Sequence, residues 1–169
     1  MVASTPPSGS REKRKWFLLS LRHLRIARLL LENGFADACV FHAYHAYEGV
    51  LSALIAQRGY DVPPQGATKV VFKSGPPKKV FLSPTDSDYE FSTHKARILY
   101  FNKLADKNMT YWNTHDILQR IATVDARNNA LYYDPQNDRL PFEQYDPNFA
   151  TQLLEHVRRF AAEVWQEIG

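Results

Sequence analysis

Residues 34–54, GFADACVFHAYHAYEGVLSAL, are the stretch on which the fold turns. Ala36, Val40, Ala43, Tyr47, Val50 and Leu54 recur at spacings of three and four, which predicts a helix from Phe35 to about Arg58. Nearly every position is apolar or small, so this helix is expected to be buried on more than one side, or to bury a dimer interface. A thin polar line runs through it: His42, His45, Glu48 and Ser52. His42 and His45 are three apart, whereas helical zinc pairs more often use a spacing of four, so the imidazoles read as hydrogen-bonded interior groups and no metal is expected. Glu48 is a carboxylate in an apolar helix and needs a partner; an arginine from the fourth helix is the obvious candidate. Cys39, the one cysteine, reads as a small buried hydrophobe. With no disulfide framework available, a reducing cytoplasm is the expected compartment.

Upstream, residues 1–10 are rich in Pro, Ser and Gly and read as a disordered tail. A first helix is expected from about Arg11 to Glu32, with Phe17, Leu21, Leu24 and Leu31 inward and Asn33-Gly34 closing it. Net charge over the 169 residues is only +3, but residues 1–31 hold seven basic side chains against Glu12. A basic arm on a mildly acidic body points to an anionic partner, with Arg22 and Arg25 as candidate RNA contacts. No run of apolar residues is long enough for a membrane span, and no secretory leader is recognisable.

Downstream, five prolines between residues 59 and 91 exclude a helix. Two short β-like runs, 69–73 and 79–82, read as an irregular hairpin within this Pro/Lys-rich insertion. Lys73, Lys78 and Lys79 form a second basic patch there and are further candidate RNA contacts, as is His94 in the third helix, expected over residues 94–105. Residues 113–135, NTHDILQRIATVDARNNALYYDP, read as one long helix capped at Thr114 or Asp116 and stopped by Pro135. Ile117, Ile121, Val124 and Leu131 would be its buried face, while Arg127 and Asp134 would lie close together around it, and Asn128 and Asn129 would stack against Tyr132 and Tyr133. After a polar loop, Asp146-Pro147 opens a final helix to Ile168, with Phe149, Leu153, Val157, Phe160 and Val164 inward. The expected fold is all-α: one domain over residues 11–169, an up-and-down bundle of about five helices with the insertion between the second and third.

The string from Gly34 to Leu54, the His94 helix and the cluster Asp125-Ala126-Arg127-Asn128 together resemble the HEPN family (higher eukaryotes and prokaryotes nucleotide-binding domain), over about residues 16–165 apart from the insertion. The resemblance implies a helical bundle that usually pairs into a homodimer, the arginine helices of both subunits lining a cleft. Many members are metal-independent ribonucleases, among them toxins paired with a small nucleotidyltransferase antitoxin. Others are inactive modules that bind RNA, a nucleotide or a partner protein.

Active members place a histidine after the arginine with four to six residues between them, and here those positions are Tyr132, Tyr133 and Asp134. RNA cleavage through the 2′-hydroxyl needs a base, an acid for the leaving oxygen, and positive charge on the phosphorane. An imidazole serves the first two needs near neutral pH; a phenol is a poor base there, though it can donate a hydrogen bond. The expectation is therefore a metal-independent HEPN-type ribonuclease, a toxin or defence protein, with no cofactor. In it Arg127 stabilises phosphate charge, Asn128 positions it, Tyr132 or Tyr133 orients the hydroxyl, Asp134 lies alongside and Glu48 holds Arg127. The alternative is an inactive HEPN module using the same cleft. His42, His45 or His94 could replace the imidazole if one of them reaches it.

Overall fold

The computed structural model describes residues 8–58, 68–71, 78–81, 98, 101, 109–132 and 134–168. Lys73, Tyr133 and His94 lie outside them, and so do the side chains of Lys78 and Lys79.

The frame is an antiparallel pair of long helices, α1 (Ser8–Glu32) and α2 (Ala36–Arg58), joined by the turn Asn33-Gly34-Phe35. Gly34 has φ +84°, a left-handed backbone that strains any side chain, and it sits where α1 must end. The Phe35 amide donates to the Leu30 carbonyl at 2.9 Å and the Gly34 amide to Leu31 at 3.1 Å, which satisfies two carbonyls of the last turn. The helices pack closely because Gly49 on α2 faces Ser20 on α1. A Cβ at Gly49 would lie 2.8 Å from Ser20 Cβ and 3.2 Å from its Cα. Ser20 is fully buried, its hydroxyl donating back to the Phe17 carbonyl.

α2 runs through the middle of the molecule, as its composition implies. From Ala43 to Ala56 every residue but His45 is buried, and the helix packs on α1 and on the C-terminal helix. The expected inward residues Ala36, Val40, Ala43, Tyr47, Val50 and Leu54 are all in the core. α1 follows its expected face less deeply: Phe17 is buried, while Leu21, Leu24 and Leu31 are partly buried against the core. α1 also begins at Ser8, three residues inside the segment expected to be a disordered tail. Strands β1 (Thr68–Val71) and β2 (Lys78–Phe81) pair antiparallel, Thr68 opposite Phe81 and Val71 opposite Lys78, forming the hairpin of the insertion. Of the expected third helix, Ile98 and Phe101 are described; both are helical, and Phe101 is fully buried.

The stretch 113–135 departs from the single helix expected. It forms α3 (Trp112–Ile121) and α4 (Val124–Asn129), separated by a break at Ala122-Thr123. Thr123 turns extended (φ −86°, ψ 162°) and its hydroxyl accepts from the Ala126 amide at 3.0 Å, so it is the N-cap of α4. Neither Thr114 nor Asp116 caps α3; that position is Tyr111, without a side-chain cap. The buried face is also different. Thr114, His115 and Leu118 point inward, whereas Ile117 and Leu131 are about two-fifths exposed.

Beyond α4 the chain makes a tight turn bridged between Asp134 and Arg139, then a one-turn helix, α5 (Pro141–Gln144). Helix α6 (Pro147–Ile168) completes the bundle, its Asp146 carboxylate accepting from the Phe149 amide at 2.8 Å. Leu153, Val157, Phe160 and Val164 are buried, with Phe149 packed beside them. The architecture is the all-α bundle expected, with α6 lying against α1, α2 and α3.

Candidate functional site

α4 is only six residues long, and tertiary contacts hold it in place. It packs on α2, and the Tyr145 hydroxyl, just after α5, donates to the Ala126 carbonyl at 2.9 Å. Half-burial, assisted by the charge of Asp125, pushes the Tyr145 phenol up to about 12, so it remains a donor throughout the physiological range. Tyr145 stacks on Phe149 (ring centroids 5.2 Å apart), tying α4 to the start of α6.

Arg127 is thereby held half-buried against α2. Its Nη1 donates to the Asn128 side-chain oxygen at 2.8 Å, and its Cζ lies 5.8 Å from the centre of the Phe41 ring, within cation–π range. Its Nε is buried and has no acceptor among the described residues. A charged donor left unsatisfied is costly, and a phosphate or carboxylate oxygen reaching this guanidinium would remove that cost.

The residues expected around Arg127 divide. Asn128 is beside it. Asp134 is not, because the helix ends before reaching it. Its carboxylate instead accepts from the amides of Gln136 (2.9 Å) and Asn137 (3.4 Å) and from the Asn137 side chain at 2.7 Å, and those hydrogen bonds hold its pKa below the usual carboxylate value. Asp134 is the organiser of a turn. Tyr132 adds one further turn, its amide donating to the Asn128 carbonyl at 2.9 Å, and its side chain is 63% exposed, so it does not stack as a continuous helix would require.

Glu48 does not hold Arg127, because no ion pair joins them among the described residues. Its Oε2 lies 3.2 Å from His45 Nδ1, one turn earlier on α2. His45 belongs to a group that the sequence did not assemble. His23 of α1 faces His42 and His45, with Nδ1 of His23 2.9 Å from Nδ1 of His42 and ring centroids 5.2 and 5.5 Å apart. At that distance one ring donates its Nδ1 proton to the other. His23 and His42 are both held below the ordinary imidazole value, first by burial and then by neighbouring positive charge. Phe41 lies edge-on to both His42 and His45, at 5.2 and 4.4 Å. One aromatic ring thus connects the three-imidazole corner of α1 and α2 to the guanidinium of α4. Missing His23 has a physical reason: each helix was read alone, and the facing of α1 and α2 is a tertiary fact. The one available signal is that His23 and His42 stand at similar distances from the turn at Gly34.

A fourth histidine, His115, was also missed and serves a different purpose. It is fully buried among Phe101, Trp112, Tyr47 and Phe160, and the Tyr47 hydroxyl lies 2.9 Å from its Nδ1. Burial lowers its pKa to about 4, so it is a neutral core residue at pH 7. Cys39 is likewise inert: buried, its thiol pushed up to about 11 and directed at the Ala150 carbonyl.

Arg22 and Arg25 are exposed on α1. An apolar groove of about 410 Å³ between α1 and α6, lined by Phe17, Leu18, Leu21, Leu24, Ala161 and Trp165, shares no residue with the imidazole corner. No helix among the described residues is long and apolar enough to cross a membrane.

Comparison with curated proteins and with solved structures yields no match. The HEPN domain family model matches residues 14–70, a span that contains nearly all of α1, the whole of α2, and with them Phe41, Glu48 and all three clustered histidines. Arg127 and α4 lie outside that span. Over its first helical hairpin, the chain is thus similar to the HEPN domain family.

Proposed function

We propose that the chain acts on RNA as a metal-independent endoribonuclease of HEPN type, with Arg127 binding the scissile phosphate. The observation that carries this reading is the state of Arg127: a half-buried guanidinium, steered by Asn128 and Phe41, with a buried Nε that has no acceptor among the described residues. Transition-state charge on a phosphorane is what such a preoriented cation stabilises. Exposed Arg22 and Arg25 on α1 provide positive charge to steer a polyanion toward the hairpin. In this reading two copies pair with their α4 segments lining one cleft, and the physiological partner is a small nucleotidyltransferase-type antitoxin that restrains a toxin.

A second reading is favoured by one observation. α4 ends at Asn129 and carries no histidine, and Tyr132 points to solvent. A site reduced in this way could bind RNA, a nucleotide or a partner protein without cutting it.

Purified protein incubated with a mixed tRNA and mRNA pool in the presence of a chelator separates the two. The ribonuclease reading expects cleavage by the wild type and at least a ~100-fold loss in Arg127→Ala, whose fold remains intact. Intact RNA that is nevertheless retained on a filter by the wild type establishes the binding module instead.

A further inference from the structure

The corner that faces Arg127 holds a pairing that the chemistry of α4 leaves unused. Glu48 is nearly fully buried in α2, with 3% of its side chain exposed, while His45, 3.2 Å away, retains 21%. A carboxylate on Nδ1 fixes the tautomer of an imidazole, gives proton exchange to Nε2 and stabilises the imidazolium that forms. A buried carboxylate is costly unless it is paired, so its place beside one histidine in an otherwise apolar helix requires an explanation. The position of the pair supplies one. His45 meets the edge of Phe41 at 4.4 Å between ring centroids, and the Arg127 guanidinium lies over the same Phe41 ring. Among the described residues, the titratable and charged groups near His45 include Glu48 and His42 on its own helix, His23 and the neighbouring Arg22 on α1, and Arg127 across Phe41. Of the three clustered imidazoles, His45 is the one paired to a carboxylate among the described residues.

We infer that His45, oriented by Glu48, is the general base of RNA cleavage at the Arg127 site. The inference rests on the ribonuclease reading and supplies the imidazole that α4 lacks. In the cleavage step the 2′-hydroxyl proton passes to His45 Nε2 and the 2′-oxygen bonds to the adjacent phosphorus, whose developing charge Arg127 stabilises. The P–O5′ bond breaks, and the leaving 5′-oxygen takes a proton from water. The products are a 2′,3′-cyclic phosphate and a 5′-hydroxyl, and His45 returns its proton to solvent. Glu48 touches no substrate; it is a positioning residue.

The test uses the full chain on the tRNA and mRNA pool with chelator present, comparing wild type, His45→Ala, His45→Gln and Glu48→Gln, each checked for its helical signal. Both His45 variants are expected to lose ~10²- to 10⁴-fold in rate, the range typical of a general base. Added imidazole is expected to restore part of the His45→Ala activity, which a merely structural role would not permit. Wild-type cleavage should rise with pH to a plateau, the profile of a reaction that uses a general base. The residual cleavage by His45→Gln should lack that rise, and if His45→Ala does not fold, this profile carries the test. Glu48→Gln should lose ~10-fold or more in rate while retaining RNA on a filter. A folded His45→Gln that cleaves at the wild-type rate, or keeps the wild-type pH profile, overturns the inference and leaves Arg127 in its role. A wild type that leaves RNA intact overturns both.

Discussion

The molecule houses its histidines in two environments, and the contrast separates what folds the chain from what could do chemistry on it. His115 sits in an aromatic cage with Tyr47 as its hydrogen-bond partner, fully buried and neutral down to about pH 4. His23, His42 and His45 stand half-buried where α1 meets α2, His23 facing the other two, and His42 and His45 meeting the ring that carries Arg127. A buried imidazole held by a hydrogen bond within an aromatic cage acts as a large core residue. Several imidazoles at a partly open corner, one backed by a carboxylate, form a group whose protonation responds to its surroundings. The same residue type thus has opposite consequences, decided by access to water and by what lies at the second ring nitrogen.

The comparison can be broken most forcefully at His115. Removing its ring leaves a cavity between Phe101, Trp112 and Phe160 and a buried Tyr47 hydroxyl without its partner. His115→Ala is therefore expected to cost about 3–4 kcal/mol, measured by urea denaturation, while cleavage per folded molecule stays unchanged. Equal damage to stability from His45→Ala would erase the distinction.

Acid offers a slightly smaller perturbation. His115, His23 and His42 all have folded-state pKa values below the ordinary 6.5, so the unfolded chain binds more protons than the folded one once the pH drops below that value. Stability is then fully present above about pH 6.5 and declines as the pH falls toward about 4. For His115, the drop from 6.5 to about 4 corresponds to up to about 3 kcal/mol, at about 1.4 kcal/mol per tenfold change in proton affinity. Denaturant midpoints across that range should move steadily; in His115→Phe, which has no proton to bind there, the slope should be visibly shallower.

Two smaller changes sharpen the picture. Gly49→Ala forces a methyl group against Ser20, Cβ and backbone alike, and should cost about 2 kcal/mol by opening the α1–α2 contact on which the imidazole corner depends. A drop in melting temperature, with the corner's imidazole resonances displaced, would confirm the link. Tyr47→Phe removes one buried hydrogen bond to His115 and should cost about 1 kcal/mol, without effect on RNA.

How far the sequence can be read follows the same division. The α1–α2 hairpin was legible because its signals are local. Apolar spacing marked α2, and Asn33-Gly34 marked the turn whose positive φ requires glycine. The break at Ala122-Thr123 was not legible, because Ile121 and Val124 continue the helical spacing across it and so suggest one helix. The competing signal was the Thr123 hydroxyl, which can cap a new helix as readily as it can face solvent inside an old one. That single error in continuity placed Asp134 and Tyr132 on an imagined helical line with Arg127. A second error, treating Ile117 and Leu131 as inward because they are apolar, hid the fact that Thr114 and His115 are the buried residues. Polar residues can take core positions when a partner waits across the bundle, and Tyr47 is that partner, 68 positions away. The need for a partner at Glu48 was legible from a carboxylate in an apolar helix, and among the described residues His45, on the same helix, is one such partner.

The most direct test of the central claim, that RNA meets the corner shared by Arg127 and the clustered imidazoles, is an NMR titration of the histidine ring signals. The ligand is a short single-stranded RNA carrying 2′-deoxy sugars, which binds without being cleaved. The account predicts that His45 shifts most, that His23 and His42 move with it, that His115 stays fixed, and that Arg127→Ala suppresses all of these shifts. RNA binding that leaves His45 unmoved, or that moves it equally in Arg127→Ala, would contradict the account.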